Sequence, residues 1–193
     1  MLEQDLTRIA DALYDGSLEA SPIWHEMCAG SRRLHLVGMV SDGGVHSHLE
    51  HLLGILDLLR KTDIEPVVHV ITDGRDTAPK AARKYLVMLE ESLGKLGKGV
   101  IATVSGRYCA MDRAKHWDRT QRAWNALVQA RGETAETPGE AIESAYARGE
   151  GDEFILPTVI GGYSGMAVDE PVLFFNFRSD RARQLAAALG LPD

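Results

Sequence analysis

The chain has 193 residues, a formal net charge of −7, 45% hydrophobic and 25% charged residues, which suits one substantial soluble domain or at most two small ones. An acidic balance argues against a general nucleic-acid surface, and no apolar run reaches the ~18 residues that a membrane helix needs. The opening "MLEQDLTRIADALYDG" is acidic and amphipathic rather than secretory, and Cys28 and Cys109 make no CxxC pair, so we expect reduced thiols in a cytoplasmic protein.

Leu6, Ile9 and Leu13 recur at helical spacing and predict a short amphipathic helix over 3–14, before a less regular stretch with Trp24 and Met27. "RLHLVGMV" (33–40) reads as a buried strand, and from Ser47 the stripe Leu49, Leu52, Leu53, Leu56 and Leu59 predicts a helix to about Lys61. "PVVHVIT" (66–72) is a second strand. After "DGRDTAP" a helix is expected from Pro79 to about Leu93, with Thr77 or Ala78 near its cap. "GVIATVS" (99–105) is a third strand, and "GRYCAMDR" leads into a helix with Trp117, Trp124 and Leu127.

"TPGEAIESAYA" (137–147) opens with a Thr cap and a proline and reads as a further helix. "FILPTVI" (154–160) reads as a strand that Pro157 confines to an edge or a bulge. "VLFFNF" (172–177) is a final strand, and a helix from Ser179 to Leu189 ends at Gly190. This order predicts an α/β fold: a layered, twisted, mostly parallel or mixed sheet flanked by helices, with the strands near 154–177 available for an antiparallel pair. Residues 1–32 then read as an N-terminal helical linker and 33–193 as the α/β domain.

Ligands of open α/β sheets gather beyond the carboxyl ends of the strands, where the next helices present their N-termini. Four corners of that kind carry related chemistry: "SDGGVHSH" (41–48), "DGRD" (73–76), "GRYCAMDR" (106–113) and "NFRSDRAR" (176–183). The first three contain glycine, which lets backbone approach a ligand closely. The last three supply Arg75, Arg107, Arg113, Arg178 and Arg181, in a chain where arginine outnumbers lysine 15 to 6. Guanidinium suits two-pronged recognition of phosphate or carboxylate. A twisted sheet that gathers these corners therefore makes an anion site.

Each corner also has a plainer reading. Arg178 and Arg181 at a helix start oppose the helix dipole, which a bound anion would reverse; Asp180 could offset them instead as part of a surface salt-bridge cluster. Arg107 could be structural, Arg113 could pair with Asp112, and Asp-Gly is a common turn. Asp76 beside Arg75 is either a general base held ionised by that cation or an acid at a helix N-terminus. His46, His48 and His51 invite a metal reading. However, His48 and His51 stand three apart rather than at i and i+4, and no remote Cys/His cluster completes a set. No metal is assigned to this chain.

Taken in order, "SDGGVHSH", "TDGRD", "SGRYCAMDR" with a following "WDR", and "FNFRSDRARQL" resemble the inserted substrate-binding domain of the cofactor-independent phosphoglycerate mutases, over nearly the whole chain. The resemblance implies a glycolytic isomerase that interconverts 3-phosphoglycerate and 2-phosphoglycerate through a phosphoserine enzyme. Its other, phosphatase-like domain would hold the serine and two metal ions, usually Mn2+. By the same resemblance His46, Arg75, Asp76, Arg107, Arg113, Arg178 and Arg181 bind substrate. The arginines fix carboxylate and phosphoryl groups, and Asp76 handles the proton of the acceptor hydroxyl. His48 and His51 then belong to the helix.

The family's Gly-Asn-Ser-Glu-Val-Gly-His nucleophile motif and its "DHGN"-type metal segments are absent from the sequence. The resemblance therefore implies a chain that stops before the phosphatase-like domain resumes, carries no cofactor itself, and folds but is inactive alone. Two other readings stand beside it. One is a stand-alone phosphometabolite-binding module; the other is a metal-dependent hydrolase built on His46, His48, His51 and Asp42.

Overall fold

The computed structural model describes residues 5–190. Helices α1 (Asp5–Tyr14) and α2 (Pro22–Cys28) precede strand β1 (Arg33–Met39). Ser21 caps α2 by accepting the Trp24 N–H at 3.2 Å, and Pro22 fills its first turn. That Ser-Pro start was the helix signal in the stretch read as irregular. There follow α3 (Leu49–Leu58), β2 (Glu65–Thr72), α4 (Ala82–Leu96), β3 (Val100–Gly106), the single turn α5 (Arg107–Ala110) and α6 (Trp117–Gln129). The chain continues through β4 (Glu133–Ala135), α7 (Pro138–Ala147), β5 (Thr158–Ile160), β6 (Val172–Phe174) and α8 (Ser179–Gly190).

The strands form one six-stranded sheet in the order β4-β5-β3-β2-β1-β6. β6, β1, β2 and β3 run parallel, β5 is antiparallel to β3, and β4 runs with β5. The fold is thus α/β with a mixed, mostly parallel sheet, as the element order predicted. The antiparallel pair near 154–177 does not form. β5 and β6 sit on opposite sides of the central strands, because residues 161–171 cross the sheet and Glu170 anchors on Arg33 and His35 of β1. β5 is also shorter than expected. Asp152–Phe154 forms a 3-10 turn, and Pro157, which has no N–H for a ladder, stands before the strand.

Helix α4 begins at Ala82, not at Pro79. The Pro79 carbonyl accepts the Asp152 N–H at 2.8 Å, which diverts it from a helical bond. Asp152 Oδ2 then accepts the N–H groups of Ala81 and Ala82 at 2.8 and 2.9 Å. A remote carboxylate thus supplies the cap expected from Thr77 or Ala78.

Alternation along β1 sends Leu34 and Leu36 to one core cluster and Val37 and Met39 to another. The first is completed by Leu52 and Leu56 of α3, Leu86 and Leu89 of α4, and Ile142 of α7; the second by Ala123 and Leu127 of α6 and Leu185 of α8. Covering both faces explains why the strands read as continuous apolar runs. Full burial stabilises each such leucine by about 1.5–3 kcal/mol. Trp24 of α2 lies in the first cluster and Leu13 of α1 packs against Gly54, so segment 5–32 rests on the same core. Among the described residues no helix is long and apolar enough to cross a membrane.

Candidate functional site

Because β1, β2, β3 and β6 are parallel, their four carboxyl-end corners share one edge of the sheet. After β1, the Ser47 hydroxyl donates to the Met39 carbonyl, and the Leu49 N–H donates to the Ser41 carbonyl at 2.8 Å. His48 stands at the N-cap of α3 rather than within the helix, its Nδ1 accepting the Glu50 N–H at 3.2 Å. His46 is left to project inward and is buried.

After β2, Asp73 organises the turn. Its Oδ1 accepts the N–H groups of Arg75 and Asp76 at 3.2 and 3.0 Å, and its Oδ2 accepts the Ser41 hydroxyl at 2.9 Å. The 3-10 turn at 152–154 is wedged against the second and third corners. A Cβ at Gly106 would fall 2.4 Å from the Glu153 carbonyl oxygen, and one at Gly74 (φ +70°) would fall 2.7 Å from the Glu153 nitrogen. Only glycine fits at either position.

Arg107 binds the corners together. Its Nη1 donates to Asp73 Oδ1 and Asp76 Oδ2, each at 2.6 Å, and its Nη2 donates to His46 Nε2 at 3.0 Å. Guanidinium has no acceptor, so His46 must accept at Nε2, and the neutral ring carries its proton on Nδ1. Burial, and then the Arg107 charge, hold His46 below its usual pKa of 6.5, which fits that neutral form. Burial works to raise the Asp73 pKa. The Asp76 N–H, the Arg107 guanidinium and the Ser41 hydroxyl outweigh it and hold the carboxyl below its ordinary value. Burial likewise disfavours the Arg107 cation, and Asp76 and Asp73 more than restore it.

The other arginines ring this cluster with looser ties. Arg113 Nη1 donates to Asp180 Oδ2 at 2.7 Å, and Arg178 Nε lies 3.0 Å from Asp180 Oδ1. Arg75 reaches only Glu153, at 3.7 Å, and Arg181 donates to the Met111 carbonyl at 3.3 Å. Burial, followed by the charges of Arg107, Arg113 and Arg75, lowers the pKa of Arg181. Arg75, Arg107 and Arg113 thus stand close enough to Arg181 to repel its charge at this edge of the sheet.

Three pairings differ from expectation. The cation on Asp76 is Arg107, not Arg75. Asp76 caps no helix, since α4 starts at Ala82. Arg113 pairs with Asp180 because Asp112 is engaged by the His116 N–H and Nδ1, at 3.0 Å each, and by Gln184 Nε2 at 3.2 Å. Sequence reasoning missed Asp73, which resembled an ordinary turn residue, and Asp152, whose role depends on contacts about seventy positions away. Asp73 leaves only the signal of a local Asp turn, and Asp152 leaves none.

No three His, Cys, Asp or Glu side chains among the described residues are grouped to hold a metal ion. His46 engages Arg107, His48 caps α3, and His51 packs edge-on against Phe177 with ring centroids 5.9 Å apart. Asp42 is taken by the Tyr85 hydroxyl and by Lys84 Nζ at 3.0 Å. Among the described residues these side chains are engaged apart from one another rather than grouped around a metal, so no geometry there supports the hydrolase reading.

The chain is thus an α/β domain with a mixed, mostly parallel sheet whose strand ends gather arginines around a buried Arg–Asp–His cluster. The chain belongs to the family described as BPG-independent PGAM N-terminus, whose model matches residues 9–193. It is 50% identical over 192 residues to the 2,3-bisphosphoglycerate-independent phosphoglycerate mutase of Symbiobacterium thermophilum, covering 96% of this chain and 37% of that protein. To the enzyme of the same name from Sulfurimonas denitrificans it is 46% identical over 190 residues, covering 98% and 38%. Among solved structures, the phosphoglycerate mutase of Leishmania mexicana, crystallised at low cobalt concentration, superposes with a TM-score of 0.92 at 26% identity, over 98% of this chain and 38% of that one. The chain thus spans well under half the length of these relatives.

Proposed function

We propose that this domain holds phosphoglycerate for a cofactor-independent phosphoglycerate mutase, a glycolytic isomerase of the cytoplasm that interconverts 3-phosphoglycerate and 2-phosphoglycerate through a phosphoserine enzyme. The observation that carries this reading is the His46–Arg107–Asp76 cluster, braced by Asp73 and ringed by Arg75, Arg113, Arg178 and Arg181. Phosphoglycerate presents a phosphoryl group and a carboxylate on a short carbon chain with one free hydroxyl. It needs cations for both anionic ends and a base for the hydroxyl between them. Arg75, Arg113 and Arg178 are about half exposed, so their guanidinium groups can turn from their carboxylate partners to such a ligand. Arg181, crowded by other cations, gains a partner from an arriving anion.

We assign the proton to Asp76. Arg107 at 2.6 Å and His46 at 3.6 Å both approach its Oδ2, leaving Oδ1 to accept from the substrate hydroxyl. Moving a phosphoryl group between two oxygens of one glycerate requires the acceptor oxygen to lose a proton as the donor oxygen regains one. We place the serine nucleophile and the two manganese ions of that scheme on a second domain of a longer protein. This chain supplies binding, orientation and proton handling, and by itself it is inactive.

Two measurements test the proposal. In the longer protein Asp76→Asn is nearly isosteric but cannot accept the proton. Turnover should fall by ~10²–10⁴-fold while KM moves little; near-normal turnover removes Asp76 from the mechanism. The 193-residue chain with added manganese should show no mutase or phosphatase activity, and robust turnover in a preparation free of host enzyme would contradict the division of labour.

A further inference from the structure

Three donors of the crevice converge on one carboxylate of the protein itself. Asp180, in the first turn of α8, has Oδ2 on Arg113 at 2.7 Å and Oδ1 at 3.0 Å from Arg178 Nε. His46 Nδ1 lies 3.9 Å from the same Oδ1. That gap is too long for a hydrogen bond. Both atoms are buried, and neither has a hydrogen-bond partner. His46 is only 3% exposed, so an unsatisfied ring nitrogen there carries a desolvation penalty. Its proton, on Nδ1 because Nε2 accepts from Arg107, points at an oxygen it does not reach.

Asp180 therefore sits among these donors as an anionic ligand would, but with an imperfect fit. Resting on the anion-site reading above, we propose that Asp180 is a built-in counter-ion: its carboxylate occupies Arg113 and Arg178 while the crevice is empty, and an incoming phosphoryl or carboxylate group displaces it. In the empty site it relieves repulsion among neighbouring cations. When a ligand arrives, the same two guanidinium groups and the His46 Nδ1–H transfer to ligand oxygens. Monoanions such as chloride make too few of these contacts to replace a carboxylate held by two arginines, so the exchange favours multiply charged oxyanions. Asp73 and Asp76 play no such part, because buried Arg107 holds both of them.

Calorimetric titration of the chain with inorganic phosphate and with 3-phosphoglycerate, at fixed ionic strength, tests the exchange. Asp180→Asn and Asp180→Ser both remove the charge and keep a polar residue in the first turn of α8. Each should bind both ligands about three- to tenfold tighter than wild type, the scale of losing two partly exposed ion pairs. Asp118→Asn removes the same charge from an exposed site on α6 outside these pairs and should leave affinity unchanged. Binding that appears only in the Asp180 variants also supports the proposal. Wild-type binding with equal or weaker affinity in the Asp180 variants overturns it and leaves the anion site standing, since a carboxylate that merely orients the arginines would weaken binding when removed. Equal tightening in Asp118→Asn reduces the effect to net charge and also overturns it. No binding by any of the chains removes the anion site, and the counter-ion with it.

Discussion

Midway along the same strands that end in the crevice, a second buried polar row crosses the sheet. His35 of β1, His69 of β2 and Thr103 of β3 are linked at 2.9 Å per step, and the row ends where His35 Nε2 meets Glu170 at 3.0 Å. The carboxylate can only accept, so a single proton order satisfies the chain: Thr103 donates to His69, His69 to His35, and His35 to Glu170. Arg33 balances Glu170 at 3.3 Å, and the Tyr163 ring stands edge-on over both imidazoles. The crevice uses the same residue types, yet leaves His46 Nδ1 and Asp180 Oδ1 without hydrogen bonds and crowds several arginines together. Residue type therefore does not separate the two regions. Completion of their hydrogen bonds does. Cavity size is no better a guide, since a hollow of about 750 Å³ lies near Arg33, Tyr163 and the start of β3, away from the gathered arginines.

The largest expected effect comes from breaking the crevice at its buried centre. Arg107→Ala leaves Asp73 buried without its cation, so unfolding free energy in urea should drop by about 3–5 kcal/mol, and phosphate binding should vanish. A loss below about 1 kcal/mol would show that the cluster is not the structural tie between corners that its geometry indicates. In the completed row, His69→Ala strands Thr103 Oγ1 and His35 Nδ1 and should cost about 1–3 kcal/mol. Phosphate affinity should be unchanged there. A shift in affinity would couple two regions that we treat as separate.

The smallest effect distinguishes the regions by pH. Burial lowers the pKa of His35 and His69, so the unfolded chain takes up protons near pH 6.5 that the native row refuses. Their contribution is complete above pH 6.5 and is lost as pH falls from there toward the lower native values, at up to about 1.4 kcal/mol per pH unit per group. His46 and His51 are lowered too, so the difference between wild type and His69→Ala isolates the row: the variant should show the shallower slope between pH 6.5 and 5. Asp73, whose pKa is lowered from 3.8, acts in a more acidic window. Its stabilisation is present above 3.8 and lost as pH falls through its native value. Parallel slopes for wild type and His69→Ala would show that the row contributes nothing to the histidine window.

The parallel strands were legible as apolar runs because a sheet buried on both faces needs them. The sheet edge was legible because glycine, arginine or both follow each of those runs. Short elements were less so: β4 was not read at all, and β5 and β6 were read longer than they are, because three residues are too few for a period to show. Asp76 was found as a carboxylate next to a cation, but the cation was misassigned. Adjacent residues in a turn can point apart, and Arg75 turns to Glu153 while Arg107 arrives from the next strand.

The sequence by itself determined which residue types stand at the strand ends and the class of the fold, because these follow from local pattern and composition. Only the tertiary structure decided which carboxylate meets which arginine. Asp73, Asp152 and Asp180 find their partners at separations of 34, 71 and 67 positions, across strands and turns, and no short-range propensity encodes such distances. Packing of the sheet edge sets them, by placing two glycines against the turn at 152–154 and so bringing the second and third corners within hydrogen-bond reach.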